Sequence, residues 1–240
     1  MTEKSSNENE RFKEIAANIF NIKARIEAAA AKSGRKSADI TLVAVTKTMP
    51  TVDIATAFEC GITVFGENRV QELLLKLPQL DMSGRSVHLI GHLQTNKVKQ
   101  IIDKVDMIQS VDSLRLAAEI DSQAEVSGRN MDVLCEVNIG GEASKSGVAP
   151  DLLPGLLKGM TQMRHIRVCG LMTIPPFCED KEQTRYYFAK MSKLFIDIRG
   201  EKTDNINMHI LSMGMSSDFD VAIEEGSNMV RVGTAIFGKR

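Results

Sequence analysis

The sequence predicts an α/β fold, a single (β/α)8 TIM barrel with an extra N-terminal helix. Three observations predict it. Eight short runs of β-branched and aliphatic residues recur along the chain, helical patterns separate them, and no G-x-G-x-x-G turn follows the first run. Strands alternating with helices form parallel βαβ units, because parallel neighbours need crossover connections. Eight such units in about 200 residues suit a closed barrel, whereas an open doubly wound sheet usually has fewer strands and a glycine-rich first turn.

Phe12, Ile15, Ala16, Ile19, Ile22 and Ile26 recur at helical spacing, which predicts an amphipathic helix over residues 10–32, stopped by Ser33-Gly34. The strand runs are 40–45, 62–65, 87–90, 107–111, 133–139, 166–174, 206–211 and 229–236. Helical patterns fall near 51–60, 68–77, 96–104, 113–127, 151–161, 181–199 and 218–225. Gly61, Gly128, Gly200 and Gly226 each follow a periodic segment, as left-handed helix caps do. The chain ends soon after the eighth run, so the first helix is expected to take the place of a missing last one. With no linker, repeat or low-complexity tract, residues 1–240 read as one domain, whose polar start, residues 1–9, is expected to be disordered.

A hydrophobic content of 43% with 25% charged residues suits a globular core. A formal net charge of −1 argues against nucleic acid or an anionic membrane as partner. No apolar run approaches the roughly 20 residues that span a bilayer, and the N-terminus lacks a signal-peptide pattern. Cys60, Cys135, Cys169 and Cys178 stand far apart, as reduced thiols of a cytoplasmic protein do.

Barrel chemistry sits where strands end and βα loops begin. Polar residues break the apolar pattern there: Lys47, Glu67 and Asn68, His92 and Gln94, Ser110, Asn138, Thr173, then Ser212-Met213-Gly214-Met215-Ser216 and Arg231-Val232-Gly233-Thr234. Barrels often bind phosphate between the loops after strands 7 and 8, where small residues admit close backbone approach and hydroxyls add donors. A lysine at the barrel mouth usually snorkels to water. If desolvated, Lys47 would favour the neutral amine, which forms a Schiff base with a carbonyl. Phosphate cup and amine together point to a phosphorylated aldehyde, and pyridoxal 5′-phosphate (PLP) fits. Arg231 would either pair with Glu224 or Glu225 at the surface or face inward and donate to an unprotonated pyridine nitrogen.

Other patterns carry less. His88 and His92 flank a strand end with no third ligand following, so zinc is not expected. Gly214-Met215-Ser216-Ser217-Asp218 lacks the last glycine of a nucleophile elbow. Glu224 and Glu225 read as a solvated helix end, and Met213 and Met215 as packing.

Five ordered motifs run Val43-Ala44-Val45-Thr46-Lys47-Thr48, Phe65-Gly66-Glu67-Asn68-Arg69-Val70-Gln71-Glu72, His88-Leu89-Ile90-Gly91-His92-Leu93-Gln94-Thr95-Asn96-Lys97, Leu211-Ser212-Met213-Gly214-Met215-Ser216 and Arg231-Val232-Gly233-Thr234-Ala235-Ile236-Phe237-Gly238. On these the chain, from about Phe12 to Gly238, resembles the PLP homeostasis protein family, itself related to the alanine racemase N-terminal barrel. The resemblance implies PLP on Lys47, phosphate around Ser212, Gly214, Gly233 and Thr234, Arg231 at the ring nitrogen and Asn68 beside the ring. It also implies a non-enzymatic protein that keeps free PLP in check and hands cofactor to other proteins, PLP-dependent apoenzymes among them; a monomer is expected. Many relatives carry a second lysine where this chain has Met49, while Lys145 in Ser144-Lys145-Ser146-Gly147 matches a family motif. Alanine racemases add a second domain and set a partner subunit's tyrosine opposite their lysine. Here the sequence ends at Arg240, and Tyr186 and Tyr187 fall in a helical pattern, so amino-acid turnover is not expected.

Overall fold

The computed structural model describes residues 3–200 and 205–238, with side chains from residue 9 onward. Eight parallel strands close into one barrel in sequence order: β1 Thr41–Val45, β2 Val64–Glu67, β3 Ser86–Leu89, β4 Met107–Val111, β5 Met131–Glu136, β6 Ile166–Met172, β7 Ile206–Ser212 and β8 Met229–Val232. β8 returns to β1 with Val43 opposite Arg231 and Ala44 opposite Val232. Outside lie α1 Glu3–Lys32, α2 Thr51–Glu59, α3 Val70–Lys76, α4 Leu114–Val126, α5 Leu153–Met160, α6 Lys181–Arg199, α7 Phe219–Glu224 and α8 Thr234–Phe237. Strands covered on both faces read as largely apolar runs, which is why the strands stand out in the sequence even where, as in β7, Asn207 and His209 interrupt the run. Among the described residues no helix is long and apolar enough to cross a membrane.

Helix α1 packs against α2, α7 and α8 and so fills the eighth outer position. Ile15, Ile19, Ile22 and Ile26 are buried on its inner stripe, whereas Phe12 lies mostly outside it at 38% exposure. Arg11 Nη2 reaches Asp53 Oδ2 (2.6 Å) and the Phe237 carbonyl (2.8 Å), and Asn18 Nδ2 donates to the Ile236 carbonyl (2.9 Å). These bonds satisfy carbonyls that a short final helix leaves open. The helix begins at Glu3, so much of the expected disorder over residues 1–9 is instead helical main chain; residues 1–2 lie outside the described set. Once a helix is nucleated by packing, each added residue gains a bond, which carries it into a polar start.

Three further expectations change. The segment after β3 is a 3₁₀ stretch, Thr95–Gln100, rather than an α-helix, the tighter form that short connectors favour. The eighth strand stops at Val232, because Gly233 (φ −118°, ψ −74°) breaks it and starts α8. Gly200 has φ −69° and is no left-handed cap, unlike Gly61, Gly128 and Gly226.

Inside the barrel, Val43, Met107, Leu134, Cys169, Met172 and Met229 meet across the axis in a cluster separate from the shell between strands and helices. Strand side chains alternate faces. The next inward position after Met107, Leu134 and Met229 is therefore Gln109, Glu136 and Arg231, and Ser212 follows Ile210 in the same way. All four polar residues are buried. The barrel is apolar below and polar at its mouth.

Candidate functional site

The site is built on the seam where β8 meets β1. A Cβ added to Gly233 would stand 3.2 Å from both the Cβ and the carbonyl oxygen of Val45, so glycine permits this close approach. Lys47, half-buried, consequently shares a narrow cleft with Val45, Met49, Gly233, Thr234 and Phe237. Met49 also packs on the core, so the side chain two residues past Lys47 serves packing here. Thr48 has φ +65°, a left-handed conformation that a β-branched residue rarely adopts. Its amide donates to the Glu72 carboxylate.

The loops after β7 and β8 are brought together, as their composition predicts. Ser216 Oγ accepts from the amides of Gly233 (3.3 Å) and Ala235 (3.2 Å), and the Arg231 amide donates to the Gly214 carbonyl (3.0 Å). Gly214 is left-handed (φ +95°), and a Cβ there would meet Ala222 Cβ at 2.5 Å and Phe219 Cα at 2.9 Å, so α7 packs directly on the loop. Thr234 is exposed at the start of α8. Ser212 differs from the rest of its loop. Its hydroxyl donates to Gln109 Oε1 (2.8 Å) and accepts from Arg231 Nη1 (2.6 Å), which turns it into the barrel.

Arg231 faces inward. It is 3% exposed, and Nη2 also donates to the Thr173 carbonyl (2.8 Å). Burial lowers its guanidinium to about 10, which leaves it a cation at neutral pH. The surface alternative fails because Arg185 takes Glu224 (2.8 Å) and Glu225 (2.6 Å), while Lys32 takes Glu224 (2.9 Å). Glu224 and Glu225 are therefore a clamp between α1, α6 and α7 rather than a solvated helix end. Gln109 Nε2 lies 2.9 Å from His88 Nδ1, and burial pushes His88 down to about 4. His88 is thus neutral, with Nδ1 accepting. His92 is exposed, and among the described residues no three His, Cys, Asp or Glu side chains could hold a metal.

Among the described residues, two buried oxygens at the mouth, Asn68 Oδ1 and Glu136 Oε2, have no hydrogen-bond partner. Asn68 is set by backbone contact, since a Cβ on Gly91 would fall 2.4 Å from the Asn68 carbonyl oxygen. Burial, then the charge of Asp112, raises Glu136 to about 7 against the pull of Arg231. Lys145 is exposed in a loop tied by Asn138 Nδ2 to the Glu142 carbonyl (2.8 Å), and it lines a cleft with Pro175, Pro176, Phe177 and Met215. Sequence reasoning passed over Gln109 and Glu136, although counting by twos from Met107 and Leu134 places both inward. It also passed over Lys76, whose signal was a lysine four residues after Glu72 on α3.

Residues 17–240 match the family model described as the alanine racemase N-terminal domain. The pyridoxal phosphate homeostasis protein of Aquifex aeolicus is 44% identical over 216 residues, which are 90% of this chain and 94% of that protein. Among solved structures, PipY of Synechococcus elongatus with PLP bound has a TM-score of 0.81 and 31% identity, covering 93% of this chain and all of that one. A Bifidobacterium adolescentis protein of unknown role has a TM-score of 0.88 and 37% identity over 95% of this chain and 96% of its own. By these likenesses the chain belongs to the pyridoxal phosphate homeostasis protein family, within the alanine racemase N-terminal domain group.

Proposed function

We propose that this protein holds PLP at the β8–β1 seam as a Schiff base on Lys47 and serves intracellular PLP homeostasis and cofactor supply without turning over amino acids. The observation that carries the reading is the seam itself: one amine, one pair of small-residue loops and one buried arginine share a single rim. The residues present fit the cofactor's chemistry. Asn68 Oδ1 is a buried acceptor lacking a donor, and Arg231 is a buried cation whose neighbours leave it facing the mouth.

PLP supplies a reactive aldehyde and, in its enzymes, an electron sink. Lys47 Nζ would hold the aldehyde. Gly214, Gly233 and Thr234, with Ser216, would surround the phosphate, and Ser212 orients Arg231. Arg231 can only donate, so at the ring nitrogen it would leave that nitrogen unprotonated and weaken the sink. Asn68, whose Oδ1 is a buried acceptor, would take a donor on the ring. Tyr186 and Tyr187 lie on α6, outside the barrel, so neither stands opposite Lys47 as a second acid. A missing acid–base partner alone removes roughly 10²–10⁴-fold in rate. The protein acts as a cytoplasmic monomer whose recipients are PLP-dependent apoenzymes.

Borohydride treatment of the PLP-loaded protein is expected to fix a pyridoxyl group on Lys47, read by peptide mapping. Lys47→Ala should lose the yellow colour and keep its melting temperature, since a rim lysine adds little to the core. Label found mainly on Lys145 would overturn the assignment. Incubation of the loaded protein with L-alanine and other amino acids should give no racemisation or decarboxylation beyond free PLP. Turnover dependent on Lys47 and well above that background would make this an enzyme.

A further inference from the structure

We infer that Lys76, acting through Glu67 and Glu72, is a positioning residue that aims Lys47 by clamping the residues on either side of it. The inference rests on the proposed role of Lys47. Lys76 projects from the end of α3 and is only 7% exposed, and Glu67 is fully buried at the end of β2. An ammonium has three donors, and all three are engaged. Nζ lies 2.7 Å from the Thr46 carbonyl, 2.6 Å from Glu67 Oε1 and 2.6 Å from Glu72 Oε1.

Each of these acceptors leads back to the site. Thr46 Oγ1 donates to Glu67 Oε1 (2.6 Å), which fixes the residue before Lys47 through both its carbonyl and its hydroxyl. The Thr48 amide donates to Glu72 Oε1, which fixes the residue after Lys47 in its left-handed turn. The Asn68 amide donates to Glu67 Oε2 (3.3 Å), so the same cluster reaches the second ring-side residue. Burial raises the Glu67 carboxyl, against the hydrogen bonds from Lys76 and Thr46. At Glu72 burial pulls the same way but loses to Lys76 and the Thr48 amide, and its carboxyl falls below the usual range. A buried ion cluster is weak evidence for stability, because desolvation offsets most of its attraction. Apolar residues would hold α3 on the barrel as well. What they could not supply is two carboxylates and one ammonium that bind the backbone on both sides of one lysine.

The test separates noncovalent binding from linkage. Pyridoxine 5′-phosphate carries an alcohol in place of the aldehyde, so it reports the pocket without Lys47 chemistry. In Lys76→Met and Glu72→Ala, the rate at which added PLP becomes borohydride-fixable on Lys47 is expected to fall about 10–100-fold, the effect of a small misplacement of a reacting group. Affinity for pyridoxine 5′-phosphate should stay at the wild-type value. Wild-type linkage rates in both variants would overturn the inference, as would parallel loss of linkage, pyridoxine 5′-phosphate binding and melting temperature in Glu72→Ala. That variant keeps the buried Lys76–Glu67 pair and decides the matter if Lys76→Met does not fold. Wild-type protein that binds pyridoxine 5′-phosphate but never links PLP to Lys47 would refute the parent reading instead.

Discussion

Pyridoxal without its phosphate is expected to bind about 10²–10⁴-fold more weakly than PLP. Two charge-assisted hydrogen bonds at roughly 1.5–3 kcal/mol each account for that range. The amides of Gly233 and Ala235 already converge on one acceptor, Ser216 Oγ, and a phosphate oxygen is a stronger one. Gly214 and Gly233 keep the approach open, the first by its left-handed turn and the second by its closeness to Val45. The comparison belongs in Lys47→Ala, where covalent linkage cannot mask the difference, and titration calorimetry reads it directly. Equal affinities for the two compounds would show that the loops after β7 and β8 do not bind phosphate.

Glu136→Gln is expected to stabilise the ligand-free protein by about 3 kcal/mol at pH 8 and by almost nothing near pH 4. Burial raises the Glu136 carboxyl from its ordinary 4.5 to about 7. The folded state therefore binds this proton more tightly than the unfolded chain does. Its contribution is fully present below pH 4.5 and is lost as pH rises through 7. Glutamine keeps the shape and never ionises. His88 works with the opposite sign. Its folded value of about 4 lies below the ordinary 6.5, so the stability tied to its neutral form is present above pH 6.5 and fades as pH falls towards 4. Between pH 4.5 and 6.5 the two contributions oppose each other. In Glu136→Gln the histidine contribution is no longer opposed by Glu136, and stability should rise with pH across that window more steeply than in the wild type. Urea unfolding from pH 4 to 8 measures both curves. A difference between variant and wild type that does not change with pH would refute the assignment to Glu136.

Much of this architecture was legible because barrel strands are buried on both faces. Runs such as Leu42-Val43-Ala44-Val45 and Met107-Ile108-Gln109-Ser110-Val111 stand out without any alignment, and the barrel rule then marks the residues that follow them. The direction of Ser212 was harder to read. A serine ending a strand can serve the loop above or the interior below, and strand parity decides, as the step from Ile210 to Ser212 shows. Thr48 was illegible for another reason. Threonine argues against a left-handed turn, and only the distant Glu72 carboxylate reveals what holds it there. Likewise, Glu67 and Lys76 lie far enough apart in sequence that only the packing of α3 on β2 makes them partners. Local patterns carry elements and rims; the long-range polar contacts that aim side chains depend on how those elements meet.

Barrel closure also sets an order of events. The register of Leu42 with Val230 and Val43 with Arg231 joins the first strand to the eighth, the longest closure among the strand pairs of the barrel. Contacts of such separation form late, because chain entropy must be overcome before they contribute. During synthesis Lys47 leaves the ribosome early, but Gly233, Thr234 and Arg231 arrive with the closing strand. An unclosed chain carries Lys47 without the proposed phosphate loops or Arg231. If the proposed site is right, cofactor capture is reserved for molecules that have finished folding, and a bound ligand would favour the closed barrel by mass action.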